Sequence, residues 1–389
     1  MSLSSFLNDI WQVVINARFL WLPIILLIAF WKLWLYYIRA RYISSREWNL
    51  LEIKLPREIA KGPRAMEVAL NMFHQTFDGI LWEKYWEGFL RAWFSLEIVS
   101  IEGKIHFFIY TQKYFKNLVE AQIYAQYPDV EITEVNDYTK FFDQGFEKDW
   151  KFWGTEFKLT AEDAYPIKTY VDYGLQELAT KEEQKTDPLT SLLELLGSLK
   201  TGEQIWFQIL IRATKKKWKE EGKKLVDKLM KEAEGKKEAG GISMGVFRMT
   251  PGQRSVIEAV ERDVSKLGFD VGIRTIYLAK SDKFNKINVS SLTGVMKQYN
   301  ALNLNGFKSV NYTSAAYILK NLRLEIKKRK MFDAYCRRSM FHMPYVRNHF
   351  VLNSEELATI FHFPGRVAET PTLERIEAKK GEAPTNLPI

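Results

Sequence analysis

The sequence predicts an α+β protein: one N-terminal transmembrane helix, then two ferredoxin-like α/β sandwiches, then a C-terminal basic helical segment with an extended tail. Three observations predict it. An apolar stretch runs from Phe19 to Ile38; strand, strand, helix and strand patterns follow one another over residues 94–135; and a second series of strand and helix patterns occupies residues 203–279. A helix covering one face of an antiparallel sheet is the arrangement this order favours.

The apolar stretch is FLWLPIILLIAFWKLWLYYI. Its length, at about 1.5 Å per residue, is roughly 30 Å, the thickness of a bilayer's hydrocarbon core. Lys32 alone interrupts it. A charge at the centre of a spanning helix costs about 3 kcal/mol, but Lys32 lies in the last third, where its stem can carry the ammonium to the headgroups. Arg39, Arg41 and Arg46 follow the stretch, whereas Arg18 precedes it with Asp9 nearby. Basic flanks stay inside, so the tail faces out and residues from 39 onward face the cytoplasm, from an inner-membrane anchor. Trp21, Trp31 and Trp34 suit the interfaces. A cleaved signal peptide would carry charge before its apolar core and small residues after it, the reverse of what stands here.

Beyond this anchor, residues 1–48, the chain of 389 residues has room for two or three domains. With 47% hydrophobic and 26% charged residues it is globular in composition. Cys336 is the one cysteine, which excludes an intramolecular disulfide and fits a reducing compartment. The net charge is +9, and from Lys308 to Arg347 ten Lys or Arg face only Glu325 and Asp333.

The first sandwich is expected over residues 49–180. LLEIKLP is a strand ended by Pro56, and a helix over 63–78 buries Met66, Leu70, Phe73 and Phe77. WFSLEIVSIEGKIHFFIYT alternates in two halves around Glu102 and Gly103, the pattern of a hairpin. A helix with Phe115, Leu118, Val119 and Ile123 on one side stops at Pro128, and DVEITEV returns as a strand. Residues 149–178 are expected to complete that sheet. TKEEQKTDP, residues 180–188, marks a boundary.

The second sandwich is expected over 189–300. LTSLLELLGSL is a short helix, and EQIWFQILIRAT is apolar on both faces, as a central strand must be. The Lys-rich stretch 215–237 places Trp218, Leu225 and Leu229 on one side of a solvated helix. Thr250 with Gln253 forms a capping box, Pro251 opens the helix and Gly268 ends it, before the strand FDVGIRTIYLA. The basic segment, 301–363, has Ala315, Leu319, Leu322 and Ile326 on one helical face. Lys320, Arg323, Lys327, Lys328, Arg329 and Lys330 surround that face, with Arg337 and Arg338 beyond. Asn353 and Glu356 form a second capping box. Residues 364–389 hold Pro371, Pro384 and Pro388 and suit an extended tail.

Motifs for catalysis are missing from the sequence. The Gly-Lys pairs at Gly103, Gly222 and Gly235 lack the Ser or Thr of a phosphate-binding loop. His74, His106, His342, His349 and His362 lack cysteine partners and metal-ligand spacing. Glu131, Glu134 and Asp137 suit a solvated acidic edge. No enzyme, metal or cofactor is expected.

Three stretches carry a resemblance: SLEIVSIEGKIHFFIYTQKYFKNLVEAQIYAQYPDVEITEVNDYT, DPLTSLLELLGSLKTGEQIWFQILIR, and VLNSEELATIFHFPGRVAETPTLERIEAKKGEAPTNLP. They resemble the membrane-anchored region that precedes the motor in type IV secretion and conjugation ATPases of the HerA–FtsK class from candidate-phyla bacteria. The third is the most specific, because in that family such a stretch leads directly into the nucleotide-binding domain. The motor is not in this sequence, so no catalytic residue carries over. The resemblance implies a non-catalytic membrane component that docks a separate ATPase, in a DNA- or protein-translocating machine whose oligomeric state, homo-oligomer or not, stays open. The competing expectation is that residues 308–347 bind nucleic acid through its phosphates, against anionic lipid or plain solvation for the same surface.

Overall fold

Residues that alternate between bulky and polar build strands, and in the computed structural model the strands join into one sheet. It describes residues 11–12, 16–56, 59, 61–142, 149–176, 186–234, 249–314, 319–365 and 375–376. Most of the 180–188 boundary, Ala315 and nearly all of the expected tail lie outside the described residues. The strands are β1 (Trp48–Pro56), β2 (Phe94–Ile101), β3 (Lys104–Gln112), β4 (Glu131–Val135), β5 (Trp150–Leu159), β6 (Glu203–Ala213), β7 (Gly268–Lys280), β8 (Phe307–Val310), β9 (Phe350–Asn353) and β10 (Arg375–Ile376). The described helices are α1 (Arg18–Ser44), α2 (Pro63–Asn71), α3 (Lys116–Gln126), α4 (Thr190–Gly197), α5 (Trp218–Glu234), α6 (Pro251–Val264), α7 (Lys286–Gly294), α8 (Lys320–Cys336) and α9 (Ser354–Ile360).

β1 to β9 form a nine-stranded antiparallel sheet, and β10 adds a two-residue parallel pairing at the end of β1. β4 pairs with the outer side of β1, and β9 pairs with the start of β7. The first four strands lie in the order β4-β1-β3-β2 and the next four in the order β8-β5-β7-β6, with β2 and β6 paired antiparallel at the join. Each half thus repeats one order from its outer edge inward. β6 is central, as its apolar faces predict. β5 differs from expectation: it does not complete the sheet of β1–β4 but pairs with β7 and β8 in the other half. Alternation marks a strand without naming its neighbour, so the sequence could not place it.

The two faces follow the pleat. Leu51, Ile53, Phe107, Ile109, Ile205 and Phe207 face the larger core under α2, α3, α4, α7 and α9. Leu50, Phe108, Trp206, Ile276 and Leu278 face the other side, closed by Met331 and Tyr335 of α8 and by Phe142. The β2–β3 hairpin turns at Glu102 and Gly103, whose φ values of 54° and 88° are left-handed. A Cβ on Gly103 would stand 2.7 Å from the carbonyl of Leu199. α5 and α6 pack on each other through Leu225, Val226, Ile257 and Val260. The α6 capping box is present, with the Gln253 amide donating to Thr250 Oγ1 at 3.2 Å. α2 ends at Asn71, so Phe77 falls beyond it and stands 65% exposed, although Met66, Leu70 and Phe73 are buried as predicted.

Candidate functional site

Hydrophobic burial places α1 before any chemistry does. It is long and apolar enough to cross a membrane, and the 18 most apolar residues in succession are unburied by the body. Trp21 and Trp31 are 39% and 41% exposed, and Lys32 and Arg41 are exposed. Trp34 and Arg39 are half-buried. Only Ile38 and Tyr42 are buried in this helix. The body meets the end of this helix at Ile43. Trp48 donates from Nε1 to the carbonyl of Ile43 at 3.2 Å and stacks on Tyr110 with centroids 5.3 Å apart. Trp93, Leu210 and Met340 complete that contact.

The predicted basic contact set divides on α8 and its exit. Lys320, Arg323, Arg329 and Lys330 are exposed. Lys327 donates from Nζ to the carbonyls of Tyr312 and Ser314, at 3.2 and 3.3 Å. Lys328 pairs with Glu325 at 2.9 Å and Arg337 with Asp333 at 2.8 Å. The apolar residues among them are not core: Leu319, Leu322 and Ile326 are 67, 57 and 44% exposed. Arg338 is a correction, since it is fully buried and cannot touch phosphate or lipid.

Arg338 instead fills the far side of the sheet core. Its Nε and Nη2 donate to Glu97 at 3.0 and 3.2 Å, Nη1 and Nη2 donate to Asp137, and Nη1 also donates to the carbonyl of Cys336. Glu97, itself fully buried, accepts further from Ser95, Gln208 and Tyr138. Burial opposes the Arg338 charge, but Glu97 and Asp137 outweigh it and hold the guanidinium protonated. Asp137 is therefore no part of a solvated acidic edge.

A second buried charge cluster surrounds the segment Phe350–Pro364, every residue of which is buried. The segment crosses beneath the sheet from β7 to β3, seating α9 on α2 and Phe361 and Phe363 against Phe107. Its capping box is present, Asn353 Oδ1 accepting from the Glu356 amide at 2.8 Å. Glu355 pairs with Lys266 at 2.7 Å, which also reaches Glu67 at 2.7 Å. Burial opposes the Lys266 charge, yet these two carboxylates raise its pKa. Asp263 is raised well above the carboxylate range by burial and by Glu356, and burial lifts Glu356 to about 8. Burial thus favours the neutral acid at both carboxyls.

The histidines serve packing. His74 meets the Gly268 carbonyl at 3.0 Å, His106 meets Glu52 at 2.6 Å and His362 meets Asp187 at 3.1 Å. His342 packs on Trp93 and His349 on Phe341. Among the described residues no group of three His, Cys, Asp or Glu is placed to hold a metal ion. Burial pushes the Cys336 thiol up to about 12, so it is a poor nucleophile.

A family model described as a domain of unknown function, DUF8128, matches residues 46–375. The chain belongs to the DUF8128 family. The match starts just after α1 and reaches β10, so it coincides with the sheet-bearing body. No curated protein matches the chain.

Within the DUF8128 body one surface carries no motif, and no period beyond Phe77: residues 77–89, FDGILWEKYWEGF. The structure lays them along α1, with Tyr85 on Trp31 and Trp86 on Trp34. The signal the sequence holds there is aromatic density beside Gly79 and Gly88, which has no helical or strand spacing.

Proposed function

We propose that this chain is a non-catalytic, single-pass inner-membrane component, N-terminus outside, whose cytoplasmic body docks a separate HerA–FtsK-class ATPase in a type IV secretion- or conjugation-like machine. The observation that carries the reading is where the last described strand, β10, pairs with the body. β1 begins just past α1, and its nine residues, at about 3.3 Å each, extend roughly 30 Å. β10 pairs with the last two of them, Leu55 and Pro56. Arg375 and Ile376, the last described residues, thus lie at the end of β1 remote from α1, the side on which a cytoplasmic motor would stand. Arg39, Arg41 and Arg46 beyond the apolar stretch favour that orientation. The repeated strand order supports two ferredoxin-like units fused through β2 and β6: β1–β4 with α2 and α3, and β5–β8 with α4 and α7. Affinity purification of the full chain from detergent-extracted native membranes should recover a distinct ATPase in stoichiometric amount. A monomer without such a partner overturns the reading.

The exposed half of α8 favours a second reading, a membrane-tethered nucleic-acid-binding protein. Lys320, Arg323, Arg329 and Lys330 would neutralise phosphates, so duplex affinity should fall with salt at a log–log slope of about −0.9 per phosphate contacted. Neutralising these residues should abolish that slope; binding to anionic vesicles without binding to duplex would assign the surface to lipid instead.

A further inference from the structure

α1 and residues 77–89 touch in a continuous register. Tyr85 packs on Trp31 with centroids 5.7 Å apart, Trp86 on Trp34 at 5.6 Å, and Phe89 on Tyr42 at 5.6 Å. Trp34 Nε1 donates to the carbonyl of Tyr85 at 2.9 Å. Between these contacts Gly88 lies so close that a Cβ there would stand 2.4 Å from the carbonyl of Ile38. The incoming arm returns to the same level, since Phe77 meets Phe89 edge-on at 5.4 Å and a Cβ on Gly79 would strike Phe89 at 2.8 Å. The segment therefore ascends α1, turns through a π-helical stretch at Glu83–Glu87, and descends again.

Depth follows from α1. Trp31 precedes Ile38, the last apolar residue of the stretch, by seven positions, which is about 10 Å of helix rise. Whatever packs on Trp31 and Trp34 lies at their depth. The side chains that the turn presents outward suit that depth: Ile80, Leu81, Trp82 and Trp86 are 64, 72, 61 and 50% exposed. The polar groups are tied down or placed low. Lys84 pairs with Asp78, Glu83 accepts from the Ile80 amide at 2.8 Å, and Glu87 adjoins Gly88 at the level of Ile38. In water such a surface would be an exposed apolar patch beside a second one; at the acyl–headgroup boundary Trp and Tyr are the favoured residues.

We infer that residues 77–89 form a second membrane-embedded element, a re-entrant turn whose Ile80–Trp82 tip and Trp86 occupy the acyl–headgroup boundary of the leaflet that holds the C-terminal part of α1. The inference rests on α1 lying in a bilayer, and the turn then fixes the body's orientation on the membrane by a second point. Full-length protein in phospholipid vesicles tests it. With Cys336→Ser as background, single Leu81→Cys, Ile28→Cys and Ile287→Cys variants carry an environment-sensitive fluorophore, and vesicles with and without doxyl-labelled acyl chains are compared. Leu81→Cys should shift blue and lose emission in the same direction as Ile28→Cys, while Ile287→Cys, 70% exposed after the remote end of β7, keeps its emission. Quenching at Ile28→Cys without quenching at Leu81→Cys overturns the turn and leaves α1 standing. Quenching at neither overturns both.

Discussion

Lys330 and Arg338 belong to the same basic segment and have opposite surroundings. Lys330 stands in water with Arg329 and Arg323, whereas Arg338 is enclosed by Glu97, Asp137 and the ring of Tyr110, 4.3 Å from the guanidinium. A charge in water is stabilised by solvent and is exchangeable; a charge in a core is tolerated only while its partners stay. The difference teaches that charge density along a sequence does not measure a binding surface. The acids that neutralise Arg338 come from β2 and from the approach to a 3-10 turn at Tyr138–Phe142, far away in the chain.

The hardest test of that contrast is Arg338→Ala, which strands Glu97 in the core and should cost about 3–5 kcal/mol. Denaturant unfolding in detergent, followed by tryptophan emission, measures it; a loss below about 1 kcal/mol would place Arg338 with the surface charges. A smaller effect is expected where burial raises two neighbouring carboxyls. Glu356 and Asp263 have folded pKa values raised above the ordinary carboxylate range, so the folded state binds the proton more tightly than the unfolded chain. Their contribution is complete below about pH 4 and is lost as the pH rises toward the folded value near 8. Glu356→Gln keeps the cap and removes a titrating group, so it should flatten the decline of the unfolding midpoint over that interval; an unchanged pH profile would deny the raised pKa of Glu356. Asn353→Ala removes one capping oxygen and should cost about 1 kcal/mol, measured the same way. Least of all, neutralising Lys320, Arg323, Arg329 and Lys330 together should shift stability by no more than about 0.5 kcal/mol per site, whatever it does to phosphate or lipid binding.

Several parts of the molecule were legible because their signals are local. Thr250 with Gln253 and Asn353 with Glu356 mark helix starts through hydrogen bonds within one turn. Alternation around Glu102 and Gly103 marks a hairpin for the same reason. The burial of residues 350–364 was not legible: the segment holds Glu355 and Glu356, and distant groups on Lys266, Arg262, Thr169 and Ile167, with the Asn353 amide, make those carboxylates acceptable inside. Phe77 shows the converse, a residue at perfect helical spacing left outside because α2 stops at Asn71.

By itself the sequence determined the apolar helix, the strands, the capped helices and the sign of the charge, since each depends on neighbours within a few residues. The tertiary structure alone decided that β5 joins β7, that Arg338 is core, and that residues 77–89 lie on α1. Those outcomes depend on which distant side chains share a dielectric environment, and a linear pattern carries no such distance.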